Sequence, residues 1–300
     1  MKVVVFGASG LLGQHLRLAI PPEVSAYFYR RTPDPITPGF DLLQLDKIGP
    51  LLDEIRPDAV VNMAGMSDVD AVERDVAAET GLSYRLNVIV PGKLAEACSA
   101  RGIRHVHVSS QAVFYGDRPP YSPDSPTAAV NEYGSQKIRA EAWAGQYPTT
   151  VIVRPSLILG VRPMPHSGRK NPIEGMLDGS QTRQVADRYF SPLFARDAAE
   201  YVWEAAVRLN PARVWHLGIP EAYSRFQIAM QVNPTRFTSA LNSDFPDIAP
   251  RPMDTTYADG SRWRRSVPSG IAECREDLIP ILSRAREIAL FLGITEADAI

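Results

Sequence analysis

Residues 2–16 read KVVVFGASGLLGQHL, and this stretch decides the fold. A run of valine suited to a strand covered on both faces breaks at Gly7, Gly10 and Gly13, spaced G-x-x-G-x-x-G, and passes into what reads as a helix. Glycines in a strand-to-helix turn allow a tight bend, close approach of another molecule to the backbone, and tight packing of the helix on the strand. The first helical turn meanwhile offers free N–H groups to an anion. The pattern predicts a dinucleotide pyrophosphate held by Gly7, Ser9, Gly10, Leu11, Leu12 and Gly13.

Outward from this turn, KVVVFGAS, VSAYFYR, DAVVNMAG, RHVHVSS, TTVIVRPSLIL and VWHLGIP are apolar, β-rich runs with helical patterns between them. The alternation predicts an α/β chain, a Rossmann-like doubly wound parallel sheet with a smaller C-terminal lobe. The expected division is a dinucleotide-binding domain over 1–155 and a mainly substrate-binding lobe over 156–300. Residues 185–210 or so, including SPLFARDAAEYVWEAAVRL, return to the first domain as a helix. GVRPMPHSGRKNP, 160–172, suits a loop or lid, and EDLIPILSRAREIALFLGI, 276–294, reads as a closing amphipathic helix.

The bulk numbers agree with a folded enzyme-sized chain: 300 residues, 45% hydrophobic, with Lys+Arg 32 against Asp+Glu 34. A net charge of −2 supplies no global field toward nucleic acid or an anionic membrane. The two cysteines, Cys98 and Cys274, lie far apart in helical-looking stretches, which suits a reduced compartment. With no run of the roughly 18 apolar residues a membrane span needs, the expectation is a cytoplasmic protein without nucleic-acid or membrane partners.

Arg30 and Arg31 end the second strand, where an NAD site usually carries an acid for the ribose 2′-hydroxyl. Guanidinium groups there suit a 2′-phosphate, so NADP is expected, with NAD as the alternative. Asp41 and Leu42 stand where the adenine edge could lie, and Asp41 could equally be a turn acid.

In NEYGSQKIRAE, Tyr133 and Lys137 are four apart and share one face of a helix. A neighbouring ammonium favours the phenolate of a tyrosine whose ordinary pKa of about 10 is too high for ready proton exchange. Upstream, Ser109-Ser110 falls at the carboxyl end of a sheet strand, the edge where ligands sit in this architecture. A serine hydroxyl there can hydrogen-bond a substrate carbonyl.

These residues, with RPDAVVNMAGMSDVDAVE at 56–73, resemble the extended short-chain dehydrogenase/reductases, and within them the dTDP-4-dehydrorhamnose reductase family. The first stretch is similar to the family's R-P-D-V-V-N-A-A-A-x-T-x-V-D-x-A-E, and NEYGSQKIRAE to its N-x-Y-G-x-x-K-x-x-x-E. APRPMDTTYADG loosely resembles a C-terminal element, R-R-P-x-N-S-x-L. The resemblance implies NADPH-dependent reduction of a keto group on a nucleotide-linked deoxysugar. It implies Tyr133 as proton donor, Lys137 orienting the nicotinamide ribose, and Ser110, three residues before Val113, polarising the carbonyl. It further places Ala64, Gly65, Asn87 and Pro155 at the cofactor, and Val69, Ser110, Gln111 and Leu157 toward the substrate. Gln111 replaces an acid of the family pattern and Leu157 a tryptophan, so the sugar is not read from the resemblance.

Other patterns have blander readings. His105 and His107 alternate on a strand and suit packing rather than a metal, and no metal is expected. Asp68, Asp70, Glu73 and Asp75 suit a helix start. HSGRK, 166–170, could grip a diphosphate or be an exposed basic loop, while Phe194, Tyr201 and Trp203 read as core. Two alternative functions stay open: an NAD-retaining sugar-nucleotide epimerase or dehydratase, and a non-catalytic NADP-binding regulatory subunit. A homodimer is possible.

Overall fold

The computed structural model describes residues 1–75, 80–164, 170–209, 213–245, 249–258 and 267–276. Strand β1 (Lys2–Phe6) turns through the glycines into α1 (Leu11–Ala19) and β2 (Ser25–Tyr29), followed by α2 (Ile48–Ile55) and β3 (Ala59–Asn62). Next come α3 (Val69–Arg74) and α4 (Leu82–Tyr84), which a π-helical turn, Arg85–Ile89, joins to α5 (Val90–Ser99). Strand β4 (Arg104–Val108), α6 (Glu132–Ala144) and β5 (Thr150–Pro155) complete the first part.

Beyond it, β6 (Ile158–Leu159), α7 (Pro172–Leu177), β7 (Arg183–Val185), β8 (Tyr189–Phe190) and β9 (Leu193–Phe194) lead to α8 (Ala195–Val207) and β10 (Val214–Leu217). Then β11 (Tyr223–Ser224), α9 (Arg225–Val232) and β12 (Thr238–Ala240) follow.

Six strands form one sheet in the order β10-β5-β4-β3-β1-β2, every pair parallel. The chain steps from β1 outward to β2, then crosses back to β3 on the other side of β1. That reversal opens a crevice above the carboxyl ends of β1 and β3. Period-two alternation sends Val3, Val5, Val61, Val106 and Val153 to the layer of α1 and α8, and Val4, Phe6 and Val60 to that of α2 and α5. Covering both faces is why these strands read as unbroken apolar runs.

The segment expected to return to the sheet does so as α8, whose Ala198, Ala199, Val202, Ala205 and Ala206 pack under α1 and the strands. The return continues into β10, which pairs with β5, whereas β7 and β8 pair with β12 and β11. A second core collects Leu159, Ile173, Met176, Phe194, Ile228 and Ile271. Tyr201 and Phe194 are buried and Trp203 packs against the first core, as read. Of the expected closing helix, 277–294 lie outside the described residues, and the helix seen there spans 267–276. Of HSGRK, Lys170 is described and pairs with Asp178, while 166–169 are outside. Among the described residues no helix is long and apolar enough to cross a membrane.

Candidate active site

A cleft of about 610 Å³ runs along the carboxyl edge of the sheet. Gly7, Ser9, Gly10, Leu11, Leu12 and Gly13 line one end. Gly7 has φ +85°, and a Cβ there would lie 2.7 Å from the Ala64 amide nitrogen. A Cβ at Gly13 would lie 2.3 Å from the Gly7 carbonyl oxygen, so both glycines are required by the protein itself. Gly10 differs: its nearest neighbour would be the Gly7 carbonyl at 3.5 Å, an ordinary contact, which leaves open space over the turn. Gly10 caps α1 without a side-chain hydrogen bond, so the first-turn amides are left to whatever enters. The turn fits a pyrophosphate.

At the next part of the cleft, Arg30, Arg31, Asp41 and Leu42 line the wall. Arg30 is paired with Asp34, and the Asp41 carboxylate accepts from the Leu43 amide at 3.0 Å, as a turn acid does. Phe6, Tyr29 and Phe40 meet here with ring centroids 5.5–5.8 Å apart and make an apolar wall. These three rings were not singled out from sequence. Strand alternation could have pointed to Phe6, but Phe40 arrives from a loop.

At the far end stand Ser110, Tyr133 and Lys137, with Ala64, Gly65 and Pro155. Asn131 caps α6 by accepting from the Gly134 amide at 2.9 Å, which seats Tyr133 in the first turn. The Lys137 ammonium lies 5.8 Å from the Tyr133 ring centroid and donates to the Val108 carbonyl at 3.1 Å. Burial raises the Tyr133 phenol pKa, and a hydrogen bond with Ser110 works the other way. Burial pulls the Lys137 pKa down to about 8, opposed by the charge of Glu141. The two serines divide: the Ser110 hydroxyl accepts from the Ala112 amide at 3.1 Å and lines the cleft with Tyr133, while the Ser109 hydroxyl donates to Glu141.

Four residues expected at ligands do not line the cleft. Asn87 lies behind it, fully buried in the π turn, accepting from the Met66 amide at 2.8 Å and donating to Gln136 at 2.9 Å. It braces the wall: a Cβ on Gly65 would come within 2.8 Å of its Oδ1. Val69 packs beside Tyr133 and Met66. Gln111 accepts from the Ser156 hydroxyl, and Leu157 packs into the second core. Ser156 and Ile158 are the cleft-facing residues of that segment, because Leu157 alternates away.

The remaining patterns have structural uses. His105 stacks on His107 at 6.2 Å and approaches the Thr150 hydroxyl at 3.3 Å. Asp68 caps α3, Asp70 pairs with Arg251 at 2.6 Å, Glu73 accepts from the Glu132 amide and Asp75 from the Ser83 amide. Among the described residues no group of three His, Cys, Asp or Glu is placed to hold a metal ion.

The fold and the cleft are those of the extended short-chain dehydrogenase/reductases, a class of oxidoreductases. Sequence comparison narrows this further. The chain belongs to the RmlD substrate binding domain family, whose sequence model matches residues 1–286. Over 294 residues it is 30% identical to a Streptomyces antibioticus protein named "Probable dTDP-4,6-dihydroxy-2-methyloxan-3-one 4-ketoreductase", covering 92% of each chain. It is also 30% identical over 274 residues to dTDP-4-dehydrorhamnose reductase of Mycobacterium tuberculosis strain H37Rv, covering 83% of this chain and 82% of that one. In fold it is similar to dTDP-4-dehydrorhamnose reductase of Bacillus anthracis strain Ames, crystallised with NADP. The TM-score is 0.80 at 22% identity, over 92% of this chain and 99% of that chain.

Proposed function

We propose that the protein reduces a keto group on a nucleotide-linked deoxysugar using NADPH. The observation that carries this reading is the gathering of Ser110, Tyr133 and Lys137 in the same cleft as the glycine turn. In it, the Tyr133 hydroxyl donates to the substrate keto oxygen beside the Ser110 hydroxyl. A phenol whose pKa is raised by burial keeps its proton until that oxygen gains charge, then gives it up. The bound dinucleotide supplies the hydride. Gly7, Ser9, Gly10, Leu11, Leu12 and Gly13 would hold its phosphates, Arg30, Arg31, Asp41 and Leu42 its adenosine end, and Ala64, Gly65, Lys137 and Pro155 its nicotinamide half. Asn87 acts from behind this wall.

The substrate's anionic end has its own support. Arg188, buried, is close enough to Arg225 and Arg251 for their charges to contribute, with burial as the larger cause, to lowering its pKa to about 10. Arg251 adjoins Pro250, whose carbonyl accepts from Asn131, the cap of α6. Arg251, paired with Asp70, therefore lies near the turn that carries Tyr133, a neighbour that sequence spacing does not supply. Val69, beside Tyr133, Gln111, bonded to Ser156, and Leu157, next to Ser156, would contact the substrate with Ser110.

The test is NADPH and NADH binding by fluorescence, followed by a panel of 4-keto nucleotide sugars. NADPH-selective binding with oxidation by one sugar supports the reading. NAD carried through purification would favour an epimerase or dehydratase, and NADPH binding without turnover a regulatory subunit. Size-exclusion chromatography with light scattering tests the proposed homodimer.

A further inference from the structure

Behind the cleft, Glu141 and Arg154 form an ion pair almost out of reach of solvent, with side chains 7% and 6% exposed and Nη2 2.7 Å from Oε2. Glu141 lies one helical turn past Lys137 on α6, and Arg154 immediately precedes Pro155 at the end of β5. A third segment joins them, because the Ser109 hydroxyl donates to the same Glu141 Oε1 that accepts from Arg154 Nε at 3.0 Å. Ser109 is the neighbour of Ser110. Arg154 is itself held on both sides: its Nη1 donates to the Pro123 carbonyl at 3.1 Å, and its carbonyl accepts from the Tyr257 hydroxyl at 3.0 Å.

Desolvating two charges is costly, and a buried pair often stabilises a fold no better than apolar residues of the same size. Leucine and methionine could hold α6 on β5. What they could not do is fix three segments by directional bonds, with one carboxylate receiving two hydroxyl or guanidinium donors from different strands. The three segments so joined carry Ser110, Tyr133 with Lys137, and Pro155, the groups that meet at the far end of the cleft.

We propose that Glu141 is a positioning residue, whose buried carboxylate holds the Ser109–Ser110 corner and the Arg154–Pro155 strand end in register with Tyr133. The proposal rests on the reading of Ser110 and Tyr133 as the proton-transfer pair. Its effect is on orientation, where misplacement by about 1 Å can cost on the order of 100-fold in rate.

Two variants test it. Ser109→Ala removes one bond and leaves the ion pair, and Glu141→Leu with Arg154→Met removes both charges together, so that neither is stranded. With NADPH and whichever panel sugar the parent reduces, kcat should fall about 3- to 10-fold in the first and more than about 30-fold in the second. NADPH dissociation constants should stay within about threefold, and unfolding should stay cooperative. A folded double variant with kcat within threefold of the parent overturns the proposal. If the double variant does not fold, Ser109→Ala decides, and kcat within twofold of the parent overturns it.

If the parent binds NADPH but reduces nothing in the panel, the reductase reading fails, and the positioning role is read without a sugar. The phenolate absorbance of the NADP⁺ complex, parent minus Tyr133→Phe, is titrated in the Ser109→Ala background. A midpoint raised by about half a pH unit or more supports a displaced Ser110, and an unmoved midpoint overturns the proposal.

Discussion

The Lys137 ammonium stands 5.8 Å from the centroid of the Tyr133 ring, on the same face of α6, and the two groups answer burial in opposite senses. The phenol holds its proton more tightly and the ammonium less tightly than in water, both because charge is disfavoured there. At neutral pH the phenol thus keeps its proton, as the proposed donor must, and the lysine is the charge beside it.

Replacing Tyr133 with phenylalanine removes that donor and little volume. Turnover with NADPH and a 4-keto nucleotide sugar should fall by roughly 100- to 10,000-fold, while NADPH affinity measured by fluorescence stays within about threefold. A variant that turns over at the parental rate would sink the mechanism.

Lys137 makes stability depend on pH. Its folded pKa of about 8 lies below the ordinary 10.5, so between those values the unfolded chain carries a proton that the folded chain lacks. Stability therefore rises with pH across that window, and the burial penalty is present in full below about 8. Lys137→Met abolishes the penalty and should be the more stable protein at pH 7. Its advantage should shrink between pH 8 and 10 by up to about 1.4 kcal/mol per unit. Urea unfolding of both proteins across this range measures the gap, in which other titrating groups cancel.

The glycines of the first turn separate by purpose. Gly13→Ala would drive a methyl group toward backbone 2.3 Å away and should lower the unfolding temperature or prevent expression. Gly10→Ala meets nothing closer than 3.5 Å and should fold with stability within about 1 kcal/mol of the parent. It should nonetheless bind NADPH at least about tenfold more weakly, since its methyl group takes the space over the turn. Thermal unfolding and cofactor titration, run side by side, read the two effects apart.

Arg30 and Arg31 should set the choice of cofactor. Alanine at both should weaken NADPH about tenfold or more and leave NADH within about threefold, with the selectivity also declining as salt rises. Equal losses for both cofactors would place the arginines elsewhere than at a 2′-phosphate.

How much of this was legible differs by element. The strands were readable because Val3 to Phe6 and Ala59 to Asn62 are buried on both faces, which writes an unbroken apolar run into the chain. Tyr133 and Lys137 were readable because four residues make one helical turn. Leu157 shows where a local reading stops: adjacent residues of an extended segment face opposite ways, and here Ser156 lines the cleft while Leu157 packs against the second core.

Tertiary packing hid other features. Pro91 sits in the first turn of α5, where proline is tolerated, and a Cβ at Gly92 would meet the Trp143 ring at 2.2 Å, so it is tertiary packing that calls for glycine there. The π turn that carries Asn87 has no local spacing to announce it. Arg188, Arg225 and Arg251 come from separate segments and share no period.

The pairing of β10 with β5 means that the chain cannot be shortened at residue 155 without injury. A fragment ending there would keep the glycine turn and α6 but lose the strand that shields one flank of β5 and the alanine-rich helix over Val3, Val5 and Val61. Its bare edge would invite other chains to add to it, so a minimal cofactor-binding piece made by truncation would aggregate. A protein engineer seeking one would have to join residues near 156 to those near 193 by a linker and carry the chain on to 217.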